Sequence, residues 1–239
     1  MRRLRNLLAG VAAATTLFAG AAYAEPTLQL DILDGVYDTN TETIVATSDQ
    51  FTLYALLLPD QDTLLGDTFY ISAALVPQTS TSTDLGSFTF NGTTIDVTAD
   101  MVYGVPPLEA NLAFDANDLS KHGIFPTYFA EFEFTFDPNN TATAYNTQDD
   151  AGEGPTPDPN GTMYFEDFLV DVSNLDGDYT IHFDLYTKDG VEGDIDRDEF
   201  APFSHDAESG PRQVPEPSTL LLLGTAASII IASRKKNKG

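Results

Sequence analysis

The sequence predicts an all-β fold, an antiparallel β-sandwich of jelly-roll type, and three observations predict it. Apolar residues recur at every second position over most of the chain between residues 25 and 207. The segments between these runs are rich in Gly, Pro, Asn and Asp, the residues that turn a chain. No part of that region carries a 3.6-residue period, so helices are not expected there.

The elements follow in order. Alternation places strands at about 27–33, 43–46, 51–57 and 68–76. Two short runs at about 87–90 and 94–97 flank Asn91-Gly92, the signal for a type I′ hairpin. In YFAEFEFTF, Phe132, Phe134 and Phe136 share one face, and Glu131 and Glu133 the other. A run at about 163–172 follows. In YTIHFDLY, Tyr179, Ile181, Phe183 and Leu185 share one face, and Thr180, His182, Asp184 and Tyr186 the other. Such strands read as half-buried, with one side in water. Residues 137–161, DPNNTATAYNTQDDAGEGPTPDPNG, read as a flexible acidic loop. Sixteen Phe and a body of this length suffice for one core, and the absence of Cys excludes disulfides, thiolate metal sites and a Cys nucleophile.

Charge is segregated. Arg2, Arg3 and Arg5 begin the chain, and Arg234, Lys235, Lys236 and Lys238 end it. Between them lie all 37 acidic residues and only Lys121, Lys188, Arg197 and Arg212 as basic ones. That body repels nucleic acid and anionic lipid, so no nucleic-acid partner is expected.

Both ends read as addresses. The three arginines, the apolar stretch 7–19 and the small residues Ala22 and Ala24 form a secretory signal, with cleavage before Glu25 by signal peptidase after passage through the Sec machinery. Near the other end, Pro215-Glu216-Pro217 precedes the apolar run 218–233 and the cluster Arg234, Lys235, Lys236. As a helix that run spans about 24 Å, short of a hydrocarbon core of about 30 Å. The basic cluster orients it with the tail in the cytoplasm. The expected organisation is a signal peptide at 1–24, a sandwich domain at 25–207, a linker at 208–217, a transmembrane sorting helix at 218–233 and a cytoplasmic tail at 234–239.

These three C-terminal parts in order resemble the PEP-CTERM sorting signal. The resemblance implies processing near Pro-Glu-Pro by an exosortase-type enzyme in a Gram-negative bacterium that makes exopolysaccharide, with transient inner-membrane anchoring and then release to the cell surface or matrix. The body is similar to the choice-of-anchor N family of exported proteins, through EPTLQLDILDGVYDTNTETIVATSDQFTLYAL, KHGIFPTYFAEFEF and IHFDLYTKDG with EFAPFSHDAESGP. That resemblance implies one exported domain with a modular anchor.

Chemistry is sparser. KDGVEGDIDRDEF crowds Asp189, Asp194, Asp196 and Asp198 into one run, and carboxylates so spaced can hold Ca²⁺. It is no EF-hand, since Glu199 stands where Gly is needed and His205 where Glu is needed. The competing reading is a solvated acidic loop. Ser204, His205 and Asp206 are adjacent, whereas a triad converges from separate segments. Glu131 and Glu133 could pair as glycosidase carboxylates, but an ordinary wet strand face explains them as well. Tyr103, Tyr128, Tyr145, Tyr164 and Tyr186 could stack on sugars. No catalytic residue is assigned. The expectation is a non-enzymatic structural or interaction protein at the surface, linked to exopolysaccharide or biofilm. The alternatives are a carbohydrate-binding module and, behind it, a glycosidase.

Overall fold

A computed structural model describes residues 25–108, 123–188 and 200–210. The signal peptide 1–24, the apolar run 218–233 and the tail 234–239 lie outside the described residues. Among the described residues no helix is long and apolar enough to cross a membrane.

The strands are β1 (Leu28–Ile32), β2 (Val36–Asp38), β3 (Thr43–Val45), β4 (Gln50–Leu57), β5 (Phe69–Val76), β6 (Gly86–Phe90), β7 (Thr93–Asp96), β8 (Val102–Gly104), β9 (Thr127–Phe134), β10 (Thr141–Ala142), β11 (Met163–Leu175), β12 (Thr180–Thr187) and β13 (Asp206–Glu208). They form two sheets. Sheet A runs β1-β4-β11-β6-β7, with β10 on the end of β11, and sheet B runs β2-β3-β13-β12-β5-β9-β8. The longer strands alternate between the sheets along the chain: β4, β6 and β11 in A, β5, β9 and β12 in B. Each crossing turns the same apolar face inward, so Leu53, Phe90 and Phe168 of sheet A meet Phe69, Ile71 and Phe183 of sheet B in one core. The Phe90 ring stacks on Phe132 with centroids 4.0 Å apart and on Phe168 at 5.1 Å. Such pairs add to the area buried, about 0.5–1.5 kcal/mol each.

The hairpin forms as its sequence requires. Asn91 and Gly92 both have positive φ, 47° and 81°, the backbone of a type I′ turn, and Phe90 pairs with Thr93. Two features depart from expectation. One ladder, β13 on β3, is parallel, so the sheets are not wholly antiparallel. β3 and β13 come from opposite ends of the domain sequence, so no hairpin turn fixes their relative direction.

The second departure is the stretch 137–161. Expected as a flexible loop, it is laid over the outer face of sheet A and bonded there. The Asp31 carboxylate accepts from the N–H of Ile32 (2.8 Å), Gly152 (2.9 Å) and Gly154 (3.1 Å) and from the Tyr145 hydroxyl (2.9 Å). Gln29 accepts from the Thr147 N–H at 2.9 Å and donates to the Tyr145 carbonyl at 3.2 Å. Gly152 has φ +84°, and a Cβ there would lie 2.2 Å from the Gly35 carbonyl oxygen, so only glycine fits. Polar composition suggested solvent, but these polar groups satisfy one another across a strap.

Candidate functional site

The outer face of sheet B carries the densest buried chemistry among the described residues. Alternation on β12 turns Ile181, Phe183 and Leu185 to the core and His182, Asp184 and Tyr186 outward. That outward face was expected to be wet. It is buried instead: His182 is 1% exposed, Asp184 2% and Tyr186 0%. A period of two reports which residues share a face, not whether water or chain covers it.

Registry assembles the cluster. His182 lies opposite Glu208 on β13 and opposite Ala74 on β5, and Asp184 lies opposite Ser72. Ser72 in turn lies opposite Glu131 on β9. On β13, Asp206 and Glu208 face outward with Ala207 inward between them. His182 Nε2 therefore sits 3.4 Å from Asp184 Oδ1 and 3.6 Å from Asp206 Oδ2, while Nδ1 sits 3.9 Å from Glu208 Oε2. The surrounding hydroxyls orient the acids. Ser72 donates to Asp184 Oδ2 at 2.8 Å, and Thr180 donates to Glu208 Oε1 at 2.7 Å. Burial works against a charged imidazole, but the carboxylates of Asp184, Asp206 and Glu208 outweigh it and hold His182 well above its ordinary pKa. The ligand atoms of His182, Asp184 and Asp206 all lie within 4.8 Å of one another, a grouping that could hold a metal ion.

A second cluster adjoins it in the same sheet. Glu131 accepts from Lys188 Nζ at 2.8 Å, from the Tyr186 hydroxyl at 2.5 Å and from the Leu108 N–H at 3.2 Å. Lys188 also lies 3.4 Å above the Tyr70 ring. The Glu131 and Lys188 side chains are 5% and 7% exposed, whereas Glu133 is exposed. The two glutamates share a face, but one is held in an ion pair and the other stands in solvent. Two surface grooves, one near Asp84, Asp96 and Thr98 and one near Phe51, Thr89 and Leu169, are lined by neither.

The Ser204, His205 and Asp206 side chains are not brought to one point. Ser204 Oγ lies 2.9 Å from His205 Nδ1, and His205 Nε2 lies 3.1 Å from Asn146 Oδ1. Burial pushes the His205 pKa down to about 4, so the ring is neutral at neutral pH. Asp206 faces away, into the His182 cluster. Of the tyrosines considered for sugar stacking, Tyr186 is fully buried and Tyr145 is engaged with Asp31, while Tyr103 is 44% exposed and packs edge-on against Tyr128 at 5.5 Å. Tyr164 is partly buried. Asp189, Asp194, Asp196 and Asp198 of the calcium reading lie outside the described residues, as do Pro215, Glu216, Pro217 and Arg234, Lys235 and Lys236 of the sorting signal. The same is true of the cleavage residues Ala22 and Ala24, and Glu25 is the first described residue.

The His182 cluster escaped sequence reasoning because its members look isolated. The available signal was paired i, i+2 polarity, His-Phe-Asp on one strand and Asp-Ala-Glu on another. What was missing was the knowledge that these strands are neighbours.

Comparison with known proteins adds one finding. Residues 213–236 match the family model of the PEP-CTERM protein-sorting motif. No curated protein and no solved structure matches the chain. The β-sandwich is thus joined to a PEP-CTERM motif, the signal of a protein exported and sorted by its C-terminus to the surface of a Gram-negative bacterium through an exosortase.

Proposed function

We propose that this protein works at the cell surface or in the extracellular matrix as a structural or interaction module associated with exopolysaccharide, and not as an enzyme. The observation that carries the reading is the sorting motif at 213–236. In this reading the Sec machinery delivers the chain, signal peptidase cuts before Glu25, and the run 218–233 holds the body at the outer face of the inner membrane until processing near Pro215–Pro217. The resemblance of the body to the choice-of-anchor N family supports one exported domain with an exchangeable anchor. The acidic body suits a hydrated matrix, where like charges keep chains apart.

The test is localisation and pull-down of the mature protein from cells with and without their exopolysaccharide. Retention in the matrix only when the polysaccharide is made supports the reading. Equal retention in both strains overturns the polysaccharide link. Specific binding on a glycan array would move the assignment to a carbohydrate-binding module. Turnover of the polysaccharide, lost on Glu131→Gln or Glu133→Gln, would move it to a glycosidase.

A further inference from the structure

We propose that His182, Asp184 and Asp206 form a binding site for one divalent transition-metal ion of the Zn²⁺ class, which braces β13 against β12. The inference stands apart from the surface assignment, since it rests on the arrangement of side chains alone.

The donor set comes first. One imidazole and two carboxylates suit Zn²⁺ and its neighbours, whereas Ca²⁺ takes oxygen ligands. The spacing is appropriate. A metal about 2.1 Å from each donor subtends roughly 110–120° across separations near those between Nε2 and the two aspartate oxygens, 3.4 and 3.6 Å. The three ligand atoms lie within 4.8 Å of one another, and the third edge would have to tighten on metal binding.

The surroundings supply a second, independent observation. A metal-bound histidine ordinarily turns its other ring nitrogen to a carboxylate, which fixes the tautomer and the ring plane. His182 is oriented in that sense: Nε2 faces the two aspartates, and Nδ1 faces Glu208 at 3.9 Å, a separation that a small shift of either side chain would turn into a hydrogen bond. Glu208 is itself held by Thr180 through Oε1, which leaves Oε2 on the ring side. Asp184 is held likewise by Ser72 through Oδ2, leaving Oδ1 toward His182. Both carboxylates are thus oriented by hydroxyls on their far oxygens, as ligands and their supports are.

Burial defines the role. The side chains of His182, Asp184 and Asp206 are 1–3% exposed, so the three donors are shielded from solvent, which favours a bracing role, and a water would complete the fourth position. The strand it would fasten is short. β13 has three residues in register with β3 and two with β12, and among the described residues it is the last strand. A metal shared by β12 and β13 adds a cross-brace to this short strand.

The experiment uses the full chain, purified without chelators. Elemental analysis should find about one zinc per chain after exposure to ZnCl₂ and dialysis. EDTA should lower the melting temperature by roughly 5–10 °C, and ZnCl₂ but not CaCl₂ should restore it. Folded His182→Gln should lose the metal. Because that variant could fail to fold, Glu208→Gln is tested beside it, and its zinc affinity should fall by about 10–100-fold with stoichiometry kept at saturation. If ion pairing without a metal holds these side chains, the parent takes up no zinc and EDTA leaves its melting unchanged, which overturns the proposal. Folded His182→Gln that binds zinc like the parent overturns it equally.

Discussion

Replacing Asp31 by Ala removes the acceptor on which the strap over sheet A converges. Four donors lose it: the N–H groups of Ile32, Gly152 and Gly154 and the Tyr145 hydroxyl. Asp31 is 0% exposed, and its bonds to Ile32 and Gly154 are fully buried. An orphaned buried donor costs about 1–3 kcal/mol, and one that can reach water costs less. The sum for two buried and two partly buried donors is about 3–5 kcal/mol. At roughly 2–4 °C per kcal/mol for a domain of this size, melting should fall by about 6–20 °C. The strap should also open locally before the sandwich unfolds, because its ties are lost while β4 and β11 keep their ladder. Thermal unfolding followed by circular dichroism gives the first quantity, and limited proteolysis with mapped cuts gives the second. Asp31→Ala should be nicked between residues 143 and 158 well before the parent. A variant that melts within about 1 °C of the parent and resists protease equally would refute the view that Asp31 pins the strap.

Three further outcomes are expected, one at Asp31, one at the Glu131–Lys188 pair and one at the sorting motif. Burial raises the Asp31 pKa, with the hydrogen bonds from Gly152, Tyr145, Gly154 and Ile32 opposing it. The folded state therefore holds this proton more tightly than the unfolded chain, and stability is lost as pH rises from the ordinary carboxylate pKa of about 3.9 through the raised value. Denaturant titrations from pH 4 to 6 should show this loss in the parent but not in Asp31→Asn; a gain over that window contradicts the assignment. Lys188→Met leaves Glu131 buried without its cation and should cost about 3–5 kcal/mol, while Glu131→Gln with Lys188→Met should recover part of it; additive losses in chemical denaturation would contradict the pairing. Glu216→Ala should leave export intact but keep the protein in the membrane fraction, and normal release of that variant would reduce Pro-Glu-Pro to a linker.

The architecture was legible where one face of a strand is apolar. The runs holding Leu28, Phe51, Ile71, Phe132 and Ile181 announce β1, β4, β5, β9 and β12 to within a few residues, because burying alternate side chains is what makes those strands. The Asn91-Gly92 turn was equally plain, since few other residues tolerate two successive positive φ angles. The strands missed were short. β2, β8, β10 and β13 have two or three residues each, too few to establish a period. Missing β13 hid the buried cluster, because Asp206 and Glu208 meet His182 only through the β12–β13 register. The strap was misread for a related reason. Its Asp, Asn and Gly residues look the same whether they bond to water or to Gln29 and Asp31. Sequence shows the polarity of a group but not the identity of a partner more than 100 positions away.

Export of this sandwich and sorting by its C-terminal motif would leave their mark on both ends of the mature chain, and intact-mass analysis of the protein recovered from the cell surface or medium reads both ends at once. The mature chain should begin at Glu25 and end close to Pro215–Pro217, without the run 218–233 and the basic tail. A surface form that still carries Lys238 would contradict C-terminal sorting.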